Sequence, residues 1–375
     1  MSPVEALEEK KVTWAELFFD LVFVYAVTRS SELLQEDHSP IGMLQALVVF
    51  IPVYWVWGGT TMHANLHDAE NTRDRIGIFA VGACGLLLAI SLPHAWHDMG
   101  LWFGCAYWAA RLILLLMVTG RENRIAFITF TVGSVLTGPL LVVGGLLHDE
   151  TLRLVIWAAA AVIDLSVPWL ARRRLAGVPF QPDHLTERFG LFIIIALGET
   201  VVSTAAGAEH LDWLHLVTLL LAFTMLCGLW WVYFAFGPAT VQAALEESEN
   251  RIELIRPVLS YGHLSLIAGI VAIAAGIGQA VANPAEPLPL DTAILLFGGT
   301  MLYLVTFAFT RWRLFQTLAV PRLSAATGIL VLFLLTTQVA AVYSVTLLAV
   351  ALIILNMVES VVLPRTLRRP GPAQS

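Results

Sequence analysis

Long apolar runs alternate with short polar segments from one end of the chain to the other. An α-helix needs about 20 apolar residues to cross a hydrocarbon core of about 30 Å, and runs of this length recur without any large polar insertion. The pattern predicts an all-α polytopic membrane protein with about twelve transmembrane helices. We place them at residues 14–34, 41–62, 76–93, 100–118, 125–147, 152–171, 187–207, 212–236, 257–282, 291–310, 323–339 and 343–363.

The composition agrees with a chain that is embedded in a lipid bilayer. Hydrophobic residues make up 58% of it and charged residues 13%, whereas soluble domains contain roughly a quarter charged residues. The net charge of -7 gives no basic surface for nucleic acid, so we expect no nucleic-acid partner. The sequence makes no prediction about the oligomeric state.

Basic residues fall in every second loop, and the intervening loops are acidic or contain histidine. Short cytoplasmic loops collect Lys and Arg, so this alternation predicts that both termini are cytoplasmic. Only Arg29 and Arg153 lie towards the outer side. The basic segments contain Lys10/Lys11, Arg73/Arg75, Arg121/Arg124, Arg172/Arg173/Arg174, Arg251/Arg256, Arg311/Arg313 and Arg365/Arg368/Arg369.

The two halves of the chain resemble each other in two places. Glu16-Leu-Phe on the first helix matches Glu187-Arg188-Phe on the seventh, and tryptophans end the next helix in each half. We predict two parallel six-helix repeats; coincidence of membrane-typical composition is the alternative. The predicted segments are a cytoplasmic segment 1–13, a first half 14–171, a cytoplasmic linker 172–186, a second half 187–363 and a cytoplasmic tail 364–375.

Two motifs carry a family resemblance. They are Glu16-Leu-Phe-Phe-Asp20-Leu-Val-Phe-Val and His184-Leu-Thr-Glu187-Arg188-Phe-Gly-Leu-Phe-Ile-Ile-Ile-Ala-Leu-Gly-Glu199. With both in this order, the chain resembles the bacterial low-temperature-requirement protein A family over nearly its whole length. The resemblance implies a multi-pass protein of the bacterial inner membrane that is linked to growth in the cold, with no settled biochemical activity.

Glu16 and Asp20 are four residues apart and therefore share one face of the first helix. Two carboxylates this close could share a proton, which points to proton coupling. Alternatively, Glu16 lies at the membrane interface and Asp20 alone pairs with an arginine of the other half.

Glu199 lies twelve residues after Glu187, which places it about 18 Å into its helix and near the bilayer midplane. Arg111 lies at a similar depth on the fourth helix, so we predict that it is the counter-ion. Such a pair would either form a substrate or ion site or only fix helix packing.

Further ionisable residues occupy the inner half of the predicted membrane region. Together with the two motifs they could line a cavity that faces the cytoplasm, although each alone is more often a packing hydrogen bond. The full set of binding or proton-coupling candidates is Glu16, Asp20, Arg111, Asp164, Glu187, Arg188, Glu199, His263 and Glu359.

The loop after the second helix contains His63, His67 and Asp68, a spacing that could bind a metal ion. A helical extension at the membrane interface explains the same residues. The tryptophans, Trp57 among them, concentrate near predicted helix ends and are interpreted as an interfacial belt. We expect no cofactor, because the sequence contains no Walker loop, dinucleotide fingerprint, nucleophile elbow or haem ligand pair.

These observations favour a transporter or permease for an unknown small molecule or ion, coupled to protons through intramembrane carboxylates such as Asp20 and Glu199. One alternative is a membrane enzyme that acts on a lipid or isoprenoid and uses the same carboxylates as general acid and base. The other alternative is a membrane scaffold without catalytic activity, in which charge pairs only hold helices together.

Overall fold

The computed structural model describes residues 10–67, 70–119, 127–175, 178–206, 212–235, 237–248, 251–336 and 338–367. These residues fold as α-helices with two π-helical segments, Gly133–Thr137 and Ile255–Gly262, and none of them belongs to a β-sheet. The α-helices are α1 (Trp14–Glu36), α2 (Pro40–Leu66), α3 (Thr72–Ser91), α4 (Gly100–Val118), α5 (Phe127–Val132), α6 (Gly138–Leu146), α7 (Glu150–Leu170), α8 (Arg172–Leu175), α9 (Pro182–Ala206), α10 (Trp213–Phe234), α11 (Gly237–Glu247), α12 (Ile252–Leu254), α13 (His263–Ala282), α14 (Leu290–Phe315), α15 (Val320–Thr336) and α16 (Ala341–Leu367).

Each predicted span coincides with a helix or with a run of helix, π-helix and helix. In the described residues, ten helical segments are long and apolar enough to cross a membrane. The other two are α1, which carries several charged residues, and α15, which is 17 residues long. The chain is therefore a multi-pass helical protein, and twelve crossings stay a prediction.

Polar side chains at the loop–helix junctions start many of these helices. Thr13 and Glu16 form a capping box at the start of α1, in which each side chain accepts from the backbone N–H of the other. Such caps satisfy the backbone N–H groups that have no partner in the first helical turn. The other N-caps with a side-chain hydrogen bond are Ser39, Asn71, Asp149 and Asp212.

The structure divides into two compact units. One comprises Met1–Ile195 and Pro238–Leu264, and the other comprises Ala196–Gly237 and Ser265–Ser375. The predicted halves divide the chain at other positions, and the six-helix repeat stays a prediction.

Glycines allow close contacts between helices of the first unit. A Cβ atom at Gly104 of α4 would lie 2.6 Å from the carbonyl oxygen of Leu141 on α6. A side chain at Gly133 would overlap the guanidinium of Arg111. Gly133 is the first residue of a π-helical segment. The wider turn of this segment and the missing side chain make room for the buried Arg111.

Candidate functional site

Five polar side chains of the first unit form a buried hydrogen-bonded group, which we call the acid cluster: Glu16, Asp20, Trp57, His184 and Arg188. The Arg188 guanidinium donates to both carboxylates, to Glu16 through Nη1 and to Asp20 Oδ1 through Nη2 at 2.8 Å. The indole Nε1 of Trp57 donates to the same Oδ1 at 2.8 Å. The ion-paired side chains have no solvent-exposed area.

Helical spacing explains why these residues meet. Glu16 and Asp20 are one turn apart on α1, and His184 and Arg188 are one turn apart on α9. Residues four apart lie on the same helical face, so each helix presents a stripe of two polar groups. The acidic stripe of α1 therefore faces the basic stripe of α9, and Arg188 joins both acids.

The hydrogen-bond partners of Asn65 define the protonation of His184. The Asn65 side chain accepts from the backbone N–H of Gln181 at 3.0 Å and donates to its carbonyl at 2.9 Å, which fixes the orientation of the amide. Asn65 Nδ2 also lies 3.2 Å from His184 Nδ1, which must then accept. The ring proton is therefore on Nε2, which lies 3.0 Å from Glu16 Oε2 and donates to it. In this arrangement His184 is neutral.

The acid cluster then contains more negative than positive charge. Two carboxylates, Glu16 and Asp20, face one guanidinium, Arg188, so the net charge is -1 when both acids are ionised. A buried net charge is costly unless a proton or a bound cation cancels it. Asp20 Oδ2 is buried and has no hydrogen-bond partner among the described residues, so it is the open position of the cluster.

A second buried group in the same unit surrounds Asp164 of α7. Tyr107 donates to Asp164 Oδ2, and the hydroxyl of Thr137 donates to Oδ1 at 3.1 Å. Arg111 is close enough to interact electrostatically with Asp164, and its Nη2 donates to the carbonyl of Thr129 at 2.9 Å. Both carboxylate oxygens of Asp164 are thus engaged, unlike those of Asp20.

The first unit also contains a cavity of about 100 Å³ with a mainly apolar lining. Among the described residues, the charged groups that line it are two arginines, Arg111 and Arg256, and no carboxylate. They expose only 2% and 7% of their surface, respectively. The cavity is therefore apolar with a cationic lining, which contrasts with the carboxylate-lined cavity that the sequence suggested.

Neighbouring residues connect the cavity to the acid cluster. Trp57 is followed by Gly58, and Arg188 is followed by Phe189; both of these neighbours line the cavity. The Trp57 ring contacts Phe189 edge-on, with 5.0 Å between the ring centroids. One tryptophan therefore binds Asp20 through its N–H and reaches a cavity wall through its ring.

The remaining predicted residues lie elsewhere. Glu187 is exposed, and its carboxylate accepts the backbone N–H of Val12 at 3.4 Å. Buried His263 contacts Phe189 edge-on at 4.8 Å, and its Nδ1 lies 3.1 Å from the carbonyl of Val258. Glu199 belongs to the second unit, is half-buried and has no hydrogen bond to a described residue. Its predicted pairing with Arg111 stays a prediction.

Glu359 forms an ion pair in the second unit. Arg322 donates to it through Nε at 2.6 Å and through Nη2 at 3.0 Å, and both side chains are buried. The guanidinium also donates to the carbonyl of Val232 at 3.3 Å. This two-point pair connects α15 with α16 within the unit.

The predicted metal site is described only in part, because Asp68 lies outside the described residues. The rings of His63 and His67 lie 4.5 Å apart. His63 Nε2 is 3.1 Å from Asp74 Oδ1, and both side chains are buried. No group of three metal-binding side chains occurs within the described ranges.

Two members of the acid cluster, Trp57 and His184, are not among the candidates that the sequence pattern predicts. Trp57 was assigned to the interfacial belt, which is wrong: its side chain is completely buried and donates to an acid inside the protein. His184 was part of a quoted motif, but its four-residue spacing from Arg188 was not used. That spacing is the signal that could have identified it, because the same spacing identified Glu16 and Asp20.

The chain is similar to known protein sequences along most of its length. The sequence model of the bacterial low temperature requirement A protein (LtrA) family matches residues 11–357. An uncharacterised protein of Rhizobium meliloti (strain 1021) is 31% identical over 328 residues, which are 82% of this chain and 78% of that protein. No solved structure matches the chain.

Proposed function

The chain belongs to the bacterial low temperature requirement A family, and we propose that it is a proton-coupled transporter of the inner membrane in which the acid cluster binds the coupling proton. The observation that carries this proposal is the excess of one carboxylate over the cations of a fully buried cluster. Buried ionisable groups inside membrane proteins typically mark proton relays or substrate pathways.

In this proposal Asp20 binds the coupling proton. Arg188, His184 and Thr13 all donate to Glu16, which stabilises its ionised form. Asp20 receives two donors on Oδ1 and none among the described residues on Oδ2. A proton on Oδ2 cancels the excess charge without breaking any of these hydrogen bonds.

Trp57 provides the coupling between proton and substrate. Ionised Asp20 attracts the indole N–H more strongly than protonated Asp20, because a charge-assisted hydrogen bond is about twice as strong as a neutral one. A change in this bond displaces the Trp57 ring against Phe189, which lines the cavity. Proton binding at Asp20 thereby changes the shape of the cavity.

The proposed topology keeps both termini in the cytoplasm. The two arginines on the outer side do not oppose it, because each has partners within the protein. Arg29 forms an ion pair with Glu32. Arg153 is buried and donates to the backbone carbonyls of Ala95, His97 and Leu147. Neither is a free loop charge, so the alternation of basic loops supports this orientation.

The two alternatives receive less support from the described contacts. An enzyme with carboxylates as acid and base needs one of them beside its substrate, and the described lining of the cavity has none. In a scaffold whose charge pairs only hold helices together, each buried acid should have a cationic partner for its carboxylate. Glu359 meets this condition through Arg322, whereas Asp20 leaves one buried oxygen without a partner in the described part of the chain.

The proton site can be tested directly by infrared spectroscopy on protein in lipid nanodiscs at neutral pH. A protonated carboxylic acid has its own carbonyl stretch, which shifts when the proton is exchanged for deuterium. We expect this band in the wild type, its loss in Asp20→Asn and its retention in Glu150→Gln, a control at an exposed acid. An unchanged band in Asp20→Asn would exclude Asp20 as the proton carrier.

Transport requires a second experiment. Proteoliposomes with a pH dye in the lumen would receive a panel of small organic anions, and lumenal pH would be recorded for the wild type, Asp20→Asn and Glu150→Gln. We expect solute-dependent proton movement in the wild type and the control, and none in Asp20→Asn. If no solute moves protons through the wild type, or if Asp20→Asn moves them equally well, the proposal fails.

A further inference from the structure

We propose that the cavity of the first unit binds an amphipathic anion, with the anionic head held by Arg111 and Arg256 and the apolar body packed against the remaining lining. This inference deepens the proposed function, on which it rests for the step of transport, by naming the class of substrate. Binding itself does not depend on proton movement, so the two proposals can be tested separately.

The two guanidinium groups have unsatisfied hydrogen-bonding capacity. Arg111 Nε and Arg256 Nη1 are buried and have no acceptor among the described residues. A guanidinium has five N–H donors, and each buried donor without an acceptor is costly. Both arginines line the same cavity, so a ligand with several acceptor oxygens could approach both guanidinium groups.

The charged groups of the described lining are cationic. Arg256 is paired with Glu253 at 2.9 Å, but Glu253 lies outside the lining and its side chain is 41% exposed, so solvent screens it. Asp164 near Arg111 is already held by Tyr107 and Thr137 and is not part of the lining. A ligand in the cavity therefore meets cationic groups without facing a carboxylate.

The rest of the cavity wall is mainly apolar, and the cavity is small. Aromatic and aliphatic side chains such as Trp55, Met62 and Phe130 make up most of the lining. The cavity's volume of about 100 Å³ is several times the minimum that a single water needs. That space suits a small head group with a short apolar chain, whereas a fully hydrophilic anion would lose its hydration without compensation.

The structure is organised to keep Arg111 in this position. Its backbone carbonyl accepts from the hydroxyl of Ser134, and its guanidinium crosses the helix at Gly133, where any side chain would overlap it. Gly59 on α2 approaches from the cavity side: a Cβ atom there would lie 3.4 Å from Arg111 Nη1. Packing on both sides fixes the guanidinium before the ligand binds, which lowers the entropic cost of binding.

The test is equilibrium dialysis of radiolabelled hexanoate against the full-length protein in phosphatidylcholine nanodiscs, with empty nanodiscs subtracted. Hexanol and hexylamine serve as neutral and cationic competitors of similar shape. We expect saturable binding of one hexanoate per protein, with weak competition by both. Equal competition by hexanol would show an apolar pocket without anion recognition and would overturn the proposal, as would the absence of saturable binding.

Three variants test whether hexanoate binds in this cavity. Arg111→Gln and Arg256→Gln should each weaken hexanoate binding at least about tenfold, the loss expected for one charge-assisted hydrogen bond. Gly58→Leu keeps both charges but fills the cavity, because no atom lies within 4 Å of a Cβ atom at this position. It should weaken binding to a similar extent even if an arginine variant fails to fold. The matched control is Gly328→Leu, at an exposed glycine with the same free space.

A change of the nanodisc lipid distinguishes two sources of the natural anion, a lipid phosphate and a free organic anion. If the natural ligand is a lipid phosphate, replacing phosphatidylcholine with phosphatidylglycerol should displace hexanoate in the wild type. If it is a free organic anion, hexanoate binding should be the same in both lipids. Both results support an anion site, whereas binding that survives in Gly58→Leu and both arginine variants refutes it. Asp20→Asn should still bind hexanoate, so a failure of proton coupling would not be mistaken for a failure of this site.

Discussion

Replacement of Arg188 with methionine is the most direct test of how the acid cluster is held together. Methionine is unbranched and flexible, like the aliphatic part of arginine, but it is shorter and has no charge, so Arg188→Met leaves Glu16 and Asp20 buried without a cation. Removing one partner of a buried ion pair costs about 3–5 kcal/mol. Because this arginine serves two fully buried acids, we expect the upper end of the range, about 5 kcal/mol.

The free energy of unfolding would be measured in mixed micelles by titration with a denaturing detergent, with circular dichroism as the signal. The control is Arg173→Met, at an exposed arginine, which should change stability by less than about 0.5 kcal/mol. A variant that combines Arg188→Met with Glu16→Gln and Asp20→Asn has no uncompensated charge and should recover most of the loss.

Two results would refute this reasoning. If Arg188→Met were within about 1 kcal/mol of the wild type, the two carboxylates would not depend on the arginine, contrary to the cost expected for a buried charge. If the triple variant were as unstable as Arg188→Met alone, lost packing rather than uncompensated charge would be the cause.

Two further substitutions test individual contacts by the same unfolding assay. Trp57→Phe keeps an aromatic ring but removes the N–H that binds Asp20, so we expect a loss of about 0.5–1.5 kcal/mol at neutral pH, where Asp20 is protonated; a loss below about 0.5 kcal/mol would contradict this. Gly104→Ala places a methyl group 2.6 Å from the carbonyl oxygen of Leu141 and should cost about 1–3 kcal/mol. Its control, Gly328→Ala, meets open space and should leave stability unchanged or raise it by about 1 kcal/mol, so equal effects of the two alanines would refute the packing argument.

The positions of the helices could be predicted because they depend on local properties of the chain. Apolar runs of sufficient length form helices in a membrane, and residues such as Ser39 and Asn71 cap their starts through side-chain hydrogen bonds. Even the uninterrupted apolar stretch after Arg322 was divided near the right place: α15 ends at Thr336 and α16 begins at Ala341. Such boundaries need no knowledge of which helices are neighbours.

The contacts of the ionisable residues could be predicted only in part, because they depend on which helix faces which. Glu187 and Arg188 were both candidates, yet one is exposed and the other fully buried. Neighbouring residues on a helix point in directions about 100° apart, so a motif that contains both does not reveal which one faces inward. The spacing of Arg188 from His184 would have resolved this, since it repeats the spacing of the acids on α1.

Trp57 shows the same limit of prediction from sequence, because its environment could not be inferred from its residue type and position. A tryptophan near the end of a membrane helix usually lies at the interface, where its ring meets lipid and its N–H meets water. Trp57 instead has a buried partner for its N–H, Asp20, on another helix. Sequence position gives the depth of a residue in its helix, but only the packing of helices shows whether its polar atom meets water or another side chain.

The separation of the acid cluster from the cavity arginines, Arg111 and Arg256, gives the proposed mechanism its physical basis. If the carboxylates lined the cavity, they would repel an anionic substrate, and if Arg111 lay in the acid cluster, it would neutralise the charge that calls for a proton. The described residues place the carboxylates on one side of Trp57 and Phe189 and the cationic cavity on the other. Anion and proton can thus be bound together at adjacent sites, and their charges cancel. That cancellation lowers the cost of moving both through a low-dielectric membrane, which is the advantage of coupling an anion to a proton.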